Sequence, residues 1–415
     1  MLRIMSRRNR SVPSLSRRQW LSGAASTLAM VSLLPPSSLA QSDGPDQVIL
    51  RAAPAKLPLR AGGGLSDVPA FSGLTPGPTV KMRQGESINI SIINDLSETL
   101  TPYWHGVRTA RPAWADAEIR PTRRGEFPIR PPDAGTFWYR TLPRTGGLYG
   151  LLIVEEKTPP DIDRDAVLVL DDWGLGDGRT VTANGRPSAD IPIRAGERIR
   201  LRLLNAAPDR MMQLCLDTHP VWVMAIDGQP AAPFVARDGR LTLAPGNRID
   251  VFLDATSEPG ATAPILLDQD GSALVVARLV YESGRRDGSL RGAPPPLPGN
   301  PLPERIDMRA ASRPTIELSE PPSDLAFKVA RGRPVVLTLT NRGAVPTAVH
   351  MQGHHVRLLD KLDDGWKPFW LDTLVVTAGQ TERVAFLPDR PGRWAIETTP
   401  LLPGATATMR RFEVT

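Results

Sequence analysis

The fold is decided by residues 83–94, which read Arg-Gln-Gly-Glu-Ser-Ile-Asn-Ile-Ser-Ile-Ile-Asn. The same plan returns at residues 194–205 (Arg-Ala-Gly-Glu-Arg-Ile-Arg-Leu-Arg-Leu-Leu-Asn) and 330–341 (Ala-Arg-Gly-Arg-Pro-Val-Val-Leu-Thr-Leu-Thr-Asn). Each copy has a glycine turn, then alternating apolar residues, then Asn. Such alternation predicts a strand with one face on a core and the other in water. The three glycines lie 111 and 136 residues apart, which is a domain-sized spacing.

A second repeated strand supports the duplication of the first and third copies. Residues 135–140 (Gly-Thr-Phe-Trp-Tyr-Arg) correspond to residues 392–397 (Gly-Arg-Trp-Ala-Ile-Glu). The 35 Gly and 43 Pro favour short strands joined by many turns. The sequence therefore predicts an all-β protein of three Greek-key β-sandwich domains in tandem. The predicted divisions are an export signal (1–40), domain 1 (47–158), domain 2 (159–282), a Pro/Gly-rich linker (283–303) and domain 3 (304–415).

The N-terminus is typical of a twin-arginine export signal. Arg17 and Arg18 precede an apolar stretch, and residues 38–40 (Ser-Leu-Ala) offer a cleavage site. A basic tail or a membrane anchor is the alternative, although the apolar stretch is short for crossing a bilayer. Without residues 1–40 the chain has 44 basic and 44 acidic residues. We therefore expect a periplasmic protein without a stable membrane anchor, with the twin-arginine translocase as its export partner and no nucleic-acid partner.

Further motifs point to a known family. They are residues 104–106 (Trp-His-Gly), 147–154 (Gly-Leu-Tyr-Gly-Leu-Leu-Ile-Val), 243–251 (Leu-Ala-Pro-Gly-Asn-Arg-Ile-Asp-Val) and 372–373 (Asp-Thr). Over nearly the whole mature chain the sequence resembles the multicopper oxidases. The resemblance implies three cupredoxin-like domains, a blue copper site and a three-copper cluster between the first and third domains. It also implies ten His and one Cys as ligands, whereas this chain has five His and one Cys.

The resemblance also assigns the ligand positions. Two cluster positions retain histidine, at His105 and His350. The replaced cluster positions hold Tyr103, Arg140, Leu142, Gln352, Glu397 and Thr399. The blue-copper positions hold Thr347, Thr398, Pro403 and Thr408. Arg140 would place a fixed positive charge beside copper, and Thr398 offers no thiolate.

These replacements favour a copper-free protein over an oxidase. The chain resembles the copper-free members of the family that stabilise the division machinery in the periplasm. This resemblance implies a non-catalytic binding or scaffold protein of the cell-division or envelope-stress type. Its expected partner is a periplasmic protein, with the division machinery as one candidate, and no cofactor is expected.

In two alternative interpretations the protein binds copper. In the first, the protein is an altered oxidoreductase that holds copper or zinc with His105 and His350. The carboxylate of Glu397 would be needed as well, because such a site takes three or more ligands. In the second, the protein stores copper, although its ten Met are scattered along the chain. If neither holds, the two histidines are core imidazoles that bond to protein groups.

Two smaller expectations concern the surface. His219 precedes a proline in a turn, and we expect it at the surface. Trp366 and Trp370 lie in a charged loop. They form a candidate contact for a partner protein, unless packing of the loop accounts for them.

Overall fold

The computed structural model describes residues 47–109, 117–175, 178–269, 271–287, 291–359 and 369–415. The predicted export signal, with Arg17 and Arg18, lies outside these residues. The regular structure of the described residues consists of 28 strands and one 3-10 turn, Arg237–Gly239. In this part of the chain no helix has the length and hydrophobicity that a membrane crossing needs.

The first sandwich contains two four-stranded sheets. Its strands are β1 (Gln47–Leu57), β2 (Ser66–Phe71), β3 (Gly77–Arg83), β4 (Ile88–Asn94), β5 (Pro102–His105), β6 (Arg124–Ile129), β7 (Gly135–Thr141) and β8 (Tyr149–Glu155). The sheet orders are β2-β1-β4-β6 and β3-β8-β7-β5. Apolar side chains of both sheets, among them Phe71, Ile90 and Phe137, form the core between them.

The second sandwich is the largest. Its strands are β9 (Arg164–Leu175), β10 (Gly178–Ala183), β11 (Ala189–Ala195), β12 (Arg198–Asn205), β13 (Met212–Cys215), β14 (Trp222–Ile226), β15 (Gln229–Val235), β16 (Arg240–Leu243), β17 (Arg248–Asp254), β18 (Thr262–Gln269) and β19 (Ser272–Arg285). The sheet orders are β10-β9-β12-β17-β14-β15 and β11-β19-β18-β13-β16. Leu201, Val251 and Leu279 belong to the core between these sheets.

The third sandwich resembles the first but pairs a four-stranded sheet with a five-stranded one. Its strands are β20 (Thr315–Glu317), β21 (Phe327–Val329), β22 (Val335–Thr340), β23 (Thr347–Met351), β24 (Arg357–Leu358), β25 (Thr373–Val376), β26 (Thr381–Phe386), β27 (Gly392–Pro400) and β28 (Thr408–Val414). The sheet orders are β20-β22-β26-β24 and β21-β28-β27-β23-β25. The all-β prediction is confirmed, and the three repeats of the sequence lie at β4, β12 and β22 of the three sandwiches.

The prediction that one side of β12 faces water is wrong, because every residue of this strand is buried. Its apolar residues, such as Leu201, face the core as expected. The opposite face carries arginines that ion-pair instead of meeting solvent. Arg200 and Arg202 both bond to Asp250, with Nη···Oδ2 distances of 2.6 and 3.3 Å. Asp250 also accepts a hydrogen bond of 2.7 Å from Thr136 of the first sandwich, so this charged face is a contact between two sandwiches.

The predicted linker is held by hydrogen bonds where the structure describes it. Asn300 Nδ2 donates to the backbone oxygen of Ala134 (2.8 Å) and to Gln229 Oε1 (2.9 Å). Asn300 Oδ1 accepts from the backbone nitrogen of Ala134 (2.8 Å) and from Gln84 Nε2 (3.3 Å). One amide therefore joins the first two sandwiches through the linker.

Removing the carboxylate of Asp250 should destabilise the protein strongly. Asp250→Ala removes one carboxylate from two buried guanidinium groups, although Arg200 keeps Glu156 and Arg202 keeps Asp165 as partners. We therefore expect the free energy of unfolding to fall by about 1.5–3 kcal/mol. Chemical denaturation measures this change. Asp67→Ala is the control, since the pair of Asp67 with Lys56 is exposed and should have no measurable effect. Equal effects of the two substitutions would contradict the role of the buried network.

Candidate functional site

Two pairs of adjacent strands bring several predicted ligand positions together. Pairing of β5 with β7 sets Tyr103 opposite Arg140, and pairing of β23 with β27 sets His350 opposite Glu397. Tyr103 and His105 lie two residues apart on β5 and so point to the same side. The hydroxyl of Tyr103 lies 2.7 Å from His350 Nε2, which joins the two strand pairs. We call the resulting group the central cluster: Tyr103, His105, Arg140, His350, Asp372 and Glu397.

The two retained histidines stack on each other inside the central cluster. The ring centroids of His105 and His350 are 3.6 Å apart, with 17° between the planes. Arg140 Nε donates to His105 Nδ1 at 3.3 Å. Burial and the neighbouring His350 lower the pKa of His105 well below its usual value, so this ring is neutral at physiological pH.

Arg140 and Glu397 form a buried ion pair between the first and third sandwiches. Only 1% of the Arg140 surface is exposed, and its Nη2 donates to Glu397 Oε2. Burial by itself would raise the pKa of Glu397, but the positive charges of Arg140 and Arg144, together with the hydrogen bond from Arg140, lower that pKa. The carboxylate of Glu397 is therefore ionised and engaged with a guanidinium.

Asp372 is a site residue that the sequence did not reveal. Its carboxylate lies 3.6 Å from His105 Nε2 and 3.5 Å from His350 Nδ1, and Arg248 Nη2 donates to it at 2.6 Å. Burial would raise the pKa of Asp372, but the charge of Arg248 and the hydrogen bonds from His105, His350 and Arg248 together hold it well below the usual value. Both residues lie in motifs that carried the family resemblance. The motifs marked Arg248 and Asp372 as part of the family framework but did not show that the two residues bond to each other.

The three candidate metal ligands in this cluster are His105, His350 and Asp372, which offer atoms within 4.8 Å of one another. Their protonation does not fit a copper site. Because Arg140 donates to His105 Nδ1, we assign the proton of this neutral ring to Nε2, which faces Asp372. His350 Nδ1 donates to the backbone oxygen of Asp372 at 3.1 Å, and Nε2 accepts from Tyr103. With this assignment both ring nitrogens nearest the carboxylate carry protons, so a metal at this place would require each ring to change tautomer.

The blue-copper positions contain a second buried arginine. Thr398, at the predicted cysteine position, shares a hydrogen bond of 2.7 Å with Thr408. Arg410 Nη1 donates to Thr398 Oγ1 at 2.7 Å, and Arg410 Nη2 donates to the backbone oxygen of Leu318 at 3.0 Å. Arg410 is 4% exposed. Here too a guanidinium lies among the residues that the resemblance aligns with copper ligands, and the sequence prediction did not include it.

The remaining replaced ligand positions differ in their burial and in their contacts. Gln352 is buried and contacts Met409 Sδ at 3.9 Å. The backbone nitrogen of Leu142 donates to Thr101 at 2.8 Å. Thr347 is buried on β23, Thr399 is half-buried on β27, and Pro403 is exposed after β27.

The expectation that His219 lies at the surface is wrong, and for Trp370 packing of the loop is the alternative that holds. His219 is buried, because it stacks on Tyr281 and its Nε2 lies 2.5 Å from the tyrosine hydroxyl. Trp370 is buried in a small apolar cluster with Ile306 and Leu359. It offers no exposed contact to a partner protein. Trp366 lies outside the described residues.

Asp171 is a further buried acid, on β9. Its Oδ1 accepts a hydrogen bond of 2.8 Å from the backbone nitrogen of Asp172. Burial raises the pKa of Asp171 to about 7, so the carboxyl is partly protonated at neutral pH.

Comparisons with known sequences agree with the resemblance. Three sequence models described as multicopper oxidase match residues 58–159, 156–262 and 295–412. The multicopper oxidase MmcO of Mycobacterium tuberculosis is 24% identical, over 84% of this chain and 82% of that protein. Laccase-3 of Oryza sativa subsp. japonica is 27% identical, over 46% of this chain and only 41% of the laccase.

The fold has close counterparts among solved structures. The crystal structure of Lac15, from a marine microbial metagenome, matches with a TM-score of 0.78 and 28% identity. The match covers 89% of this chain and all of that one. A multi-copper oxidase from Pseudomonas thermotolerans matches with the same TM-score and 25% identity, over 89% of this chain and 99% of that one.

The ion pair of Arg140 and Glu397 can be tested by a double-mutant cycle. Arg140→Gln or Glu397→Gln alone leaves a buried charge unpaired, so each should lower the free energy of unfolding by about 3–5 kcal/mol. The double variant removes both charges and should recover a large part of that loss. Chemical denaturation of the four proteins measures the coupling. Additive losses in the double variant would show that the pair is not coupled.

Asp171 should make stability depend on pH. Its pKa is raised on folding from 3.8 to about 7, so its contribution is full below about pH 4 and is lost as the pH rises through about 7. Asp171→Asn removes this dependence and should gain up to about 4 kcal/mol over the native protein between those pH values. Urea denaturation across this range measures the difference. The exposed substitution Asp67→Asn is the control, and a difference that does not vary with pH would refute the assignment.

Proposed function

The chain belongs to the multicopper oxidase family, and from that premise we propose that it is a copper-free binding or scaffold protein of the cell envelope. The observation that carries the proposal is the guanidinium of Arg140, bonded to both His105 and Glu397 inside the central cluster. A fixed positive charge at this position opposes a copper cation. The division machinery is a candidate partner because the chain resembles the copper-free division proteins of the family, which is an argument by analogy.

The charges of the central cluster support a copper-free state. Glu397 is neutralised by Arg140, and Asp372 by Arg248. A cation added between them would meet carboxylates that already have partners. Each histidine that faces Asp372 would also have to move its proton to the other ring nitrogen, and His105 and His350 would lose the hydrogen bonds they now make there.

The blue-copper positions support the same conclusion. An oxidase of this family takes electrons through a cysteine thiolate, and Thr398 provides a hydroxyl that bonds to Arg410 instead. Neither the ligand nor the electron path of a blue copper is then available. Binding without electron transfer accounts for both sets of replacements.

The place of action follows from the N-terminal sequence. The twin-arginine pair and the cleavage motif support export to the periplasm, with the translocase as a transient partner. The mature chain has equal numbers of acidic and basic residues, which disfavours nucleic acid as a ligand. We propose a periplasmic protein as the lasting partner.

An oxidoreductase with one copper or zinc ion is the second candidate. The observation that favours it is the group of His105, His350 and Asp372 within 4.8 Å. The expected carboxylate was Glu397, but Asp372 is the one placed with the two imidazoles. Metal binding would require both histidines to change tautomer, and Arg140 to release His105.

The metal content of the mature protein tests the proposal. After loading with copper and removal of free metal, we expect less than about a tenth of a copper per chain and no blue absorption band, because too few ligands have free lone pairs. Elemental analysis and an absorption spectrum give both results. The protein should also complement its own deletion equally well in copper-starved medium.

Stoichiometric copper or zinc would overturn the proposal if it is lost in the His105→Ala and His350→Ala variants. Arg140→Gln is the matched comparison. If the guanidinium is what excludes the metal, this variant should retain more copper than the native protein. A phenotype that appears only when copper is supplied would favour the oxidoreductase.

A further inference from the structure

Arg144 is a cation in the loop after β7. Within the described residues its hydrogen-bond acceptors are the backbone oxygens of Ala206, at 3.4 Å, and Ala207, both bonded through Nη1. No carboxylate of these residues forms an ion pair with it. The side chain is half-buried. A guanidinium has five N–H donors, so this one has donors to spare.

The acids near Arg144 are occupied elsewhere. Glu397 is bonded to Arg140, and Asp209 is bonded to Arg179 and to the backbone nitrogen of Gly404. Asp171 is partly protonated at neutral pH, since burial raises its pKa to about 7. Burial and the neighbouring Arg140 lower the pKa of Arg144 to about 10, so these acids compensate its positive charge only in part. A poorly compensated charge in a partly buried position costs free energy, and a bound anion would remove that cost.

Trp138 provides a second, independent sign of a ligand. Its side chain is fully buried, and Nε1 has no hydrogen-bond acceptor among the described residues. The guanidinium carbon of Arg144 lies 5.1 Å from the centroid of this indole ring. A buried N–H group without an acceptor is rare in native proteins and calls for an explanation.

We propose that Arg144 and Trp138 form a binding site for a small carboxylate. The planar guanidinium matches the two oxygens of a carboxylate, and the indole N–H group adds a third donor. Partial exposure of Arg144 gives the ligand a path from solvent. The site adjoins the central cluster but uses neither histidine, and it does not depend on whether the protein binds copper.

Titration of the mature protein with acetate, at constant ionic strength and about pH 7, tests the proposal. We expect a saturable rise in melting temperature and saturable heat in calorimetry. Arg144→Gln should weaken binding by about tenfold or more, because it removes hydrogen bonds to a charged group. Trp138→Phe keeps the aromatic face and should weaken binding by about three- to tenfold.

The control variants separate charge from geometry. Arg144→Lys keeps the charge without the planar fork and should bind acetate with intermediate affinity. Arg123→Gln removes an exposed arginine and should leave binding unchanged. The proposal is overturned if native protein shows no saturable acetate binding, if Arg144→Gln binds equally well, or if chloride competes as strongly as acetate.

Discussion

The ion pair of Arg248 with Asp372 is the constraint on which the arrangement of the three sandwiches depends. Arg248 belongs to the second sandwich, Asp372 precedes the first residue of β25 in the third, and Arg248 Nε donates to the backbone oxygen of Thr136 in the first at 3.1 Å. A buried guanidinium without these partners would be strongly destabilising, so the three units have one favourable arrangement around it. Gly106 shows how tight the packing is. A Cβ there would lie 2.2 Å from Arg248 Nη2, and the residue also has φ of +82°, which favours glycine.

The other interfaces between the sandwiches also contain buried ion pairs. Arg200 and Arg202 share Asp250 where the first and second sandwiches meet, and Arg140 pairs with Glu397 where the first and third meet. Buried pairs of this kind add little net free energy compared with apolar packing, but breaking one is costly. They therefore specify which surfaces meet more than they strengthen the contact. The position between the first and third sandwiches, where the family resemblance places a metal cluster, is held here by such a pair.

The sequence was sufficient for the fold because strand periodicity is a local property. The alternation at β4, β12 and β22 and the glycine turns before these strands are visible without any partner. It also identified positions that meet in space, since Tyr103, His105, His350 and Glu397 all lie in the central cluster. It could not identify Asp372 or Arg410 as site residues, because the sequence shows a charge but not the residue that neutralises it. For the same reason the sequence assigned the charged face of β12 to water. The arginines of this face bond instead to Asp250, which also accepts a hydrogen bond from Thr136 of the first sandwich.

A guanidinium and a copper ion can both join carboxylates and imidazoles across an interface, but they differ in what they demand. Copper needs free lone pairs, so its binding depends on pH and on supply of the metal. Arg140 is charged at every physiological pH and is part of the chain itself, so its contact with Glu397 forms whenever the protein folds. It has no redox chemistry to offer. A guanidinium in the place of a metal would keep the interface without the reaction, and this is the physical reason why we propose a binding role for this protein.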